Sequence, residues 1–346
     1  MQWNDLKSMT REELKKIITD AGDKAFRADQ IYGWLHKKLV RSPEQMTNVP
    51  SACISRLVEK HPLIGTKKLE EYVSEIDGTR KYLFALHDGQ VVESVMMPYH
   101  HGNTVCISSQ AGCRMGCTFC ASTLLGLARN LAPSEMLDQI YSIQRETGER
   151  VSNVVVMGTG EPFDNYDALN RMIEILSGPD GLQIGHRSIT VSTCGIVPMI
   201  YRFADDNPQV GLAISLHAPE DELRKKMMPI ARKYSLKDLM KAVRYYVDRT
   251  GRRITFEYSL VKDVNDQYEH ADTLCRLVKG LNCHINLIPV NPIRERDYVQ
   301  SEKKRVAEFR HILEKNHIQV TVRREMGRDI QAACGQLRKS HLSGID

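Results

Sequence analysis

A chain of 346 residues, 42% hydrophobic and 26% charged, has the composition of a globular protein with room for one large core and a small appendage. It has no apolar run near the roughly eighteen residues of a membrane span, and its net charge of +5 favours a polyanionic partner only weakly. The amino terminus lacks the basic-then-apolar pattern of a secretory signal, so the expected location is the cytoplasm, where nine cysteines are reduced thiols rather than disulfides.

In chain order, the first sixty residues read as short amphipathic helices. Thr10 caps REELKKIITDAG, which stops at Gly22, and FRADQIYGWLHKK sets Phe26, Ile31, Trp34 and Leu35 on one face with Arg27, Lys37 and Lys38 outside it. A helical unit is expected over 1–62, either a plain bundle with a solvated basic face or a nucleic-acid-binding appendage; composition does not separate the two. Further on, TRKYLFAL and GQVVESVMM flank Asp88-Gly89, a hairpin signal, so 63–98 is expected to be a β segment joining the helices to the main body.

The remainder, 99–346, alternates strand and helix, with strands expected at 104–108, 153–157, 188–192, 211–216, 254–260, 284–289 and 319–323. Helical patterns such as SEMLDQIYSIQRETG and SEKKRVAEFRHILEKN separate most of them. This alternation implies parallel strands with right-handed crossovers, an α/β fold built as a full or partial β/α (TIM-like) barrel whose chemistry gathers at the strands' carboxyl ends. Cys113, the turn 158–161, Ser192, His217 and Asn291 all fall there.

Four of the nine cysteines need no chemistry: Cys53 and Cys275 sit in helical apolar patterns and Cys194 and Cys283 near strand ends, where a free cysteine behaves as a small hydrophobe. The run Gln110-Ala-Gly-Cys113-Arg-Met-Gly-Cys117-Thr-Phe-Cys120 differs, because it places three thiols four and three residues apart on a glycine-bearing loop. Such a loop can wrap three corners of an iron–sulfur cube and leave the fourth iron open to a small molecule. A structural zinc site is the alternative, but it closes its tetrahedron with four ligands, and no paired partner lies near this triplet.

C-x3-C-x2-C with an aromatic residue before the last cysteine resembles the signature of the radical S-adenosylmethionine (SAM) superfamily. The resemblance implies a [4Fe–4S] cluster on Cys113, Cys117 and Cys120, with SAM on the open iron and cleaved reductively to a 5′-deoxyadenosyl radical. Gly158-Thr-Gly160-Glu161-Pro162 resembles the superfamily's GGEP turn, which receives the SAM ammonium group. The chemistry is reasonable, since glycines permit a sharp turn and a carboxylate accepts from a cation. By the same resemblance Gly160, Glu161, Ser192, Ser215, Leu216, His217 and Asn291 contact SAM.

VCISSQAGCRMGCTFCAST, VVVMGTGEPFDN, ITVSTCGI, ISLHAP, NLIPVNP and REMGRDIQAACGQLR, with FRADQIYGWLHKK before them, are similar to the RlmN family over essentially the whole chain. Its members methylate carbon 2 of adenine 2503 in 23S rRNA, and for some of them transfer RNA is a second substrate. The resemblance implies two SAM molecules per turnover and an electron donor such as flavodoxin or ferredoxin. It also implies that Cys334 carries the methyl group as S-methylcysteine and tethers the RNA. Cys106 then resolves the thioether by a transient disulfide with Cys334, and Glu93 is the proton acceptor. Seen without the family, Cys106 is a buried strand residue and Glu93 a solvated strand charge. Arg323, Arg324, Arg328 and Arg338 flank Cys334, so part of their charge is expected to face RNA phosphates.

Three rivals remain at this point. Cfr-type relatives methylate carbon 8 of the same adenine but typically carry GEA where this chain has Gly160-Glu161-Pro162. A noncatalytic zinc-dependent RNA-binding protein would be colourless. A radical SAM enzyme that activates a protein glycine would have no need of Cys334.

Overall fold

The computed structural model describes residues 3–292, 296–330 and 332. Thr10 does cap the first helix, α1 (Arg11–Asp20): its hydroxyl accepts from the Glu13 amide while Glu13 Oε2 accepts from the Thr10 amide at 2.8 Å, a reciprocal capping box. In α2 (Phe26–His36), Ile31 and Leu35 are fully buried as their spacing requires, and Trp34 is half-buried under the Lys38 ammonium. Phe26 departs from that face and lies in solvent, because it opens the first turn of the helix, ahead of the packed residues. Helix α3 (Ser51–Lys60) turns Cys53, Ile54 and Leu57 inward.

The N-terminal helices are bound to the rest of the chain by buried polar pairs. Lys7 Nζ meets Asp138 Oδ1 at 2.7 Å, with both side chains almost wholly buried, and His36 Nδ1 lies 2.9 Å from the Tyr141 hydroxyl. Asp138 and Tyr141 lie on one face of α4 (Pro133–Thr147), which Gly148 ends in a left-handed cap.

Strands β1 (Lys67–Val73), β2 (Arg80–Ala85) and β3 (Val91–Met97) form an antiparallel meander, with the β2–β3 turn at Asp88-Gly89. The meander is continuous with the main sheet, since β3 pairs antiparallel with β4 (Asn103–Ile107), Val95 opposite Cys106. After β4 come the short antiparallel pair β5 (Gln110–Gly112) and β6 (Leu127–Asn130). Then β7 (Val151–Val156), β8 (Ile189–Thr193), β9 (Gly211–Ser215), β10 (Ile254–Leu260), β11 (Cys283–Pro289) and β12 (Gln319–Val322) follow β4 in one parallel succession. Helices α5 (Tyr166–Ser177), α6 (Val197–Asp206), α7 (Asp221–Met227), α8 (Leu236–Thr250), α9 (Tyr268–Val278) and α10 (Lys303–Lys315) lie between these strands in the chain. The described sheet starts at β1 and ends at β12, so the barrel is open.

Period-two alternation sorts the strand residues. On β10, Phe256, Tyr258 and Leu260 join the apolar core under the helices, while Glu257 and Ser259 line the lumen. On β9, Leu212 and Ile214 pack outward and Ser215 faces in. The core is thus a layer between sheet and helices, and the lumen carries polar strand residues among apolar ones such as Met157, Met228 and Ile288. Among the described residues no helix is long and apolar enough to cross a membrane.

Candidate active site

A cleft opens at the carboxyl ends of the parallel strands, the usual place for a ligand in such a sheet. Cys113, Cys117 and Cys120 line one end of it. Their loop leaves β5 at Gly112, whose φ is +79° and where a Cβ would stand 2.0 Å from the Gly126 carbonyl oxygen, so only glycine fits. The Cys113 amide donates to that carbonyl at 2.9 Å. The far side of the loop docks on α7, where the Thr118 amide and hydroxyl both donate to the Met227 carbonyl, at 2.9 and 3.2 Å.

The turn 158–161 is laced to the start of the same loop. The Thr159 amide donates to Ser108 Oγ at 3.0 Å, and the Ser109 and Gln110 amides return to the Thr159 carbonyl. Gly160 sits at φ +109°, where a Cβ would lie 2.6 Å from Gln110 Cβ. This holds Glu161 at the cleft wall, nearly buried, its Oε2 accepting from the Cys194 amide at 2.7 Å and its Oε1 from Phe163 at 3.0 Å. Burial pushes its carboxyl upward, and these donors work against that push.

His217 adopts a left-handed backbone (φ +56°) at the end of β9 and packs edge-on to Phe119, the aromatic residue of the cysteine motif. Its Nδ1 accepts from the Ser259 amide at 2.9 Å, which places the proton of the neutral ring on Nε2. Burial first and Arg224 second hold its pKa down at about 3, so the ring is neutral at physiological pH.

Of the residues expected to contact SAM, Gly160, Glu161, Ser192, Ser215, His217 and Asn291 line this one cleft together with the three cysteines. Leu216 does not; its side chain is fully buried in the apolar core, and its backbone serves the site, the amide donating to the Glu257 carbonyl at 3.0 Å and the carbonyl accepting from Arg224 Nε at 3.2 Å. Alternation explains this, since its neighbours Ser215 and His217 take the inward positions.

Glu93 and Cys106 lie outside the cleft lining. Glu93 is buried rather than solvated, on the same face of β3 as Val95, and its carbonyl accepts from Ser108 Oγ at 2.7 Å. Cys106 is buried in a separate apolar cluster with Val95, Met97, Met326 and Ala332. A smaller recess, walled in part by Met97, Tyr99, Arg324, Met326 and Ala332, shares Ile288, Asn291 and Arg323 with the main cleft. Arg328 is exposed beside Glu325. Cys334 and Arg338 lie outside the described residues.

Three residues in or behind the cleft wall escaped the sequence reading. Glu257 lies on the floor, its Oε2 accepting from Asn286 Nδ2 at 2.9 Å with Arg323 Nη1 3.8 Å away. A lone acid inside the apolar strand ITFEYSL was the available signal, because an unpaired charge is rarely buried. Cys194, read as a strand-end hydrophobe, lines the cleft beside Glu161. Arg224 is fully buried and gave no signal, since its strand-end partners are distant in sequence.

The thiols suit a cluster better than a single ion. Burial pushes Cys113 up to about 12 and Cys117 well above its ordinary value, with the other thiols and Glu161 adding to the push. Thiolates here therefore require a cation core bound to them. Among the described residues no three His, Cys, Asp or Glu side chains converge on one metal ion, whereas a cube presents a separate iron to each thiolate.

The chain matches the model of the radical SAM superfamily over residues 107–275 and that of the ribosomal RNA large subunit methyltransferase N-terminal domain over 4–61. It is 60% identical to a protein of Lachnospira eligens named probable dual-specificity RNA methyltransferase RlmN, over 99% of this chain and 98% of that one. A Geobacillus kaustophilus protein of the same name is 52% identical over 96% of this chain and 91% of its own. A radical SAM methyltransferase from Sphaerobacter thermophilus has a solved structure that superposes with a TM-score of 0.93 at 43% identity, covering 96% of this chain and 99% of that one. With an open barrel, a cysteine-lined cleft and these matches from end to end, the chain belongs to the RlmN family of radical SAM RNA methyltransferases, whose cofactors are a [4Fe–4S] cluster and SAM.

Proposed function

We propose that the protein methylates carbon 2 of adenine 2503 in 23S rRNA, with Cys334 as methyl carrier and two SAM molecules per turnover. The observation that carries this reading is the apolar cluster in which Cys106 packs with Ala332, two residues before Cys334. Ala332 beside Cys106 supports pairing the two cysteines in this way. Cys113, Cys117 and Cys120 hold the cluster, which when bound supplies the electron that cleaves SAM. Gly160, Glu161, Ser192, Ser215, His217 and Asn291 seat SAM, Glu161 taking its ammonium group, and Leu216 contributes through its backbone.

Carbon 2 of adenine is not nucleophilic, so a protein-borne methyl group and a covalent intermediate divide the difficult step. The Cys334 sulfur takes a methyl group from one SAM, and that S-methyl group gives a hydrogen atom to the radical supplied by cleavage of the second SAM. The methylene joins carbon 2, and the adduct returns one electron to the cluster and gives the carbon-2 proton to Glu93. Cys106 as thiolate attacks the Cys334 sulfur; the sulfur–carbon bond breaks, a disulfide forms, and the carbon takes a proton to leave a methyl group. The adenine must be unstacked to enter, and Arg324, which walls the smaller recess, and the exposed Arg328 supply positive charge for RNA phosphates.

The dual specificity in the relatives' name supports transfer RNA as a second substrate. The protein acts in the cytoplasm with a flavodoxin- or ferredoxin-like electron donor. The test is anaerobic reaction of a 23S rRNA fragment with methyl-labelled SAM, comparing native protein with Cys334→Ala and mapping the modified carbon by mass spectrometry. Label on carbon 2 with the native protein alone is expected; label on another carbon, or undiminished transfer by Cys334→Ala, overturns the reading.

A further inference from the structure

Among the described residues, Arg224 is a buried cation with no carboxylate in direct ion-pair contact. Its side chain is fully buried, and its Nε and Nη2 donate to the carbonyls of Leu216, Cys194 and Ser215 at 3.2, 2.7 and 3.2 Å. Those carbonyls bear no charge. Its Nη1 is buried and has no hydrogen-bond partner. The groups that act on the guanidinium electrostatically are Cys194 first, then Cys117, and last Asp221, whose carboxylate makes no direct ion pair with it and accepts from the Leu236 amide at 2.7 Å. Burying a charge in this way is costly unless an opposite charge is at hand. Helix α7, which carries Arg224, is the helix on which the cysteine loop docks through Thr118 and Met227.

From this geometry we infer that Arg224 is the counter-charge of the iron–sulfur cluster, stabilising its thiolate-bound form and making its reduction easier. The inference rests on the assignment of Cys113, Cys117 and Cys120 as the cluster's ligands. Three thiolates around a [4Fe–4S] core leave a net negative charge, which grows by one on reduction, and charge near the core and hydrogen bonds to its sulfurs set its potential. A fixed cation beside Cys117 lowers the energy of the reduced state more than that of the oxidised one. An arginine suits the position because it stays charged when buried and can hold strand-end carbonyls at the same time. Arg224 is thus a positioning and tuning residue that acts through the cluster.

The test compares native protein with Arg224→Lys, which keeps the charge, and Arg224→Gln, which keeps donors for the carbonyls but loses it. Each is purified and loaded without air and checked for folding by circular dichroism. Iron content and the midpoint potential, followed by electron paramagnetic resonance, are then measured. Arg224→Gln is expected to bind less iron or to show a more negative midpoint, with Arg224→Lys close to native in both. Full loading and an unchanged midpoint in Arg224→Gln overturn the inference. Failure of both variants to fold assigns Arg224 to the scaffold and overturns it too. A native protein that takes up no cluster would instead refute the ligand assignment beneath it.

Discussion

The Cys194 amide donates to Glu161 Oε2 at 2.7 Å, which joins the end of β8 to the turn after β7 and aims a buried carboxylate across the cleft. The Phe163 amide fixes the other oxygen at 3.0 Å. Glu161→Gln can satisfy one of these amides through its carbonyl but must turn an NH₂ toward the other. Hydrogen bonds to charged groups contribute about 1.5–3 kcal/mol, so SAM affinity is expected to fall on the order of tenfold to a hundredfold. Equilibrium dialysis of the anaerobic, cluster-loaded protein with labelled SAM measures this, and iron content should not change.

Gly160 tests the same turn sterically. Its φ of +109° and the 2.6 Å approach to Gln110 Cβ leave no space for a methyl group. Gly160→Ala must shift either the turn or the Gln110 strand. A loss of about 1–3 kcal/mol is expected from backbone strain of this kind, together with weaker SAM binding. A thermal midpoint equal to that of the native protein would show that the turn yields freely.

The barrel was legible in the sequence because its strands are short, apolar and separated by helices of ordinary length. The expected strand at 254–260 coincides with β10, and the others differ by one or two residues at their ends. The cysteine triplet and the turn at 158–161 were legible because both are local. What escaped were relations across the sheet. Leu216 was grouped with Ser215 and His217, although alternation turns the middle residue of such a run into the core. Glu257 and Arg224 acquire meaning only from partners on neighbouring strands, Asn286 for one and the carbonyls of Cys194 and Ser215 for the other. Phe26 shows the opposite error, since a position on the apolar face does not bury a residue at a helix end.

His36 makes stability depend on pH. It is fully buried against Tyr141, and burial, with Lys7 adding to it, lowers its pKa from 6.5 to about 3. The unfolded chain therefore binds a proton that the folded chain refuses between these two values. The sign follows: the stability is fully present above pH 6.5 and is lost as pH falls toward 3. The slope is about 1.4 kcal/mol per pH unit inside the window. Thermal midpoints of native protein and His36→Gln at pH 5.5 and 7.5 check this, and the variant should show the smaller difference.

Lys7 and Asp138 form a buried ion pair at 2.7 Å across the junction between the N-terminal helices and α4. Asp138 also accepts from the Thr66 amide at 2.6 Å, so its carboxylate organises the entry to β1. Burial pushes the carboxyl up, but Lys7 and Arg145 bring it below its ordinary value. Lys7→Met leaves that charge buried without its nearest cation and is expected to cost about 3–5 kcal/mol. Adding Asp138→Leu should restore part of the loss, although Thr66 then loses its acceptor. Chemical denaturation of the single and double variants decides, and additive losses would refute the coupling.

Cys106 gives the most direct test of the carrier chemistry, because its position separates attachment of the RNA from its release. It is buried opposite Val95 and packed with Met326 and Ala332, away from the lining of the SAM cleft. Removing its sulfur should leave SAM binding and cluster loading unchanged, since no cleft contact is lost. Cys106→Ala keeps a small apolar side chain in an apolar cluster, so the cost in stability should be about 1–2 kcal/mol at most. With 23S rRNA fragment and SAM, this variant should form the thioether through Cys334 and then stop, because no thiolate is left to attack that sulfur. A protein–RNA band that survives denaturing electrophoresis should accumulate. The double variant Cys106→Ala, Cys334→Ala should show none. Release of methylated RNA at the native rate by Cys106→Ala would remove the resolving role from this cysteine, whatever else Cys334 does.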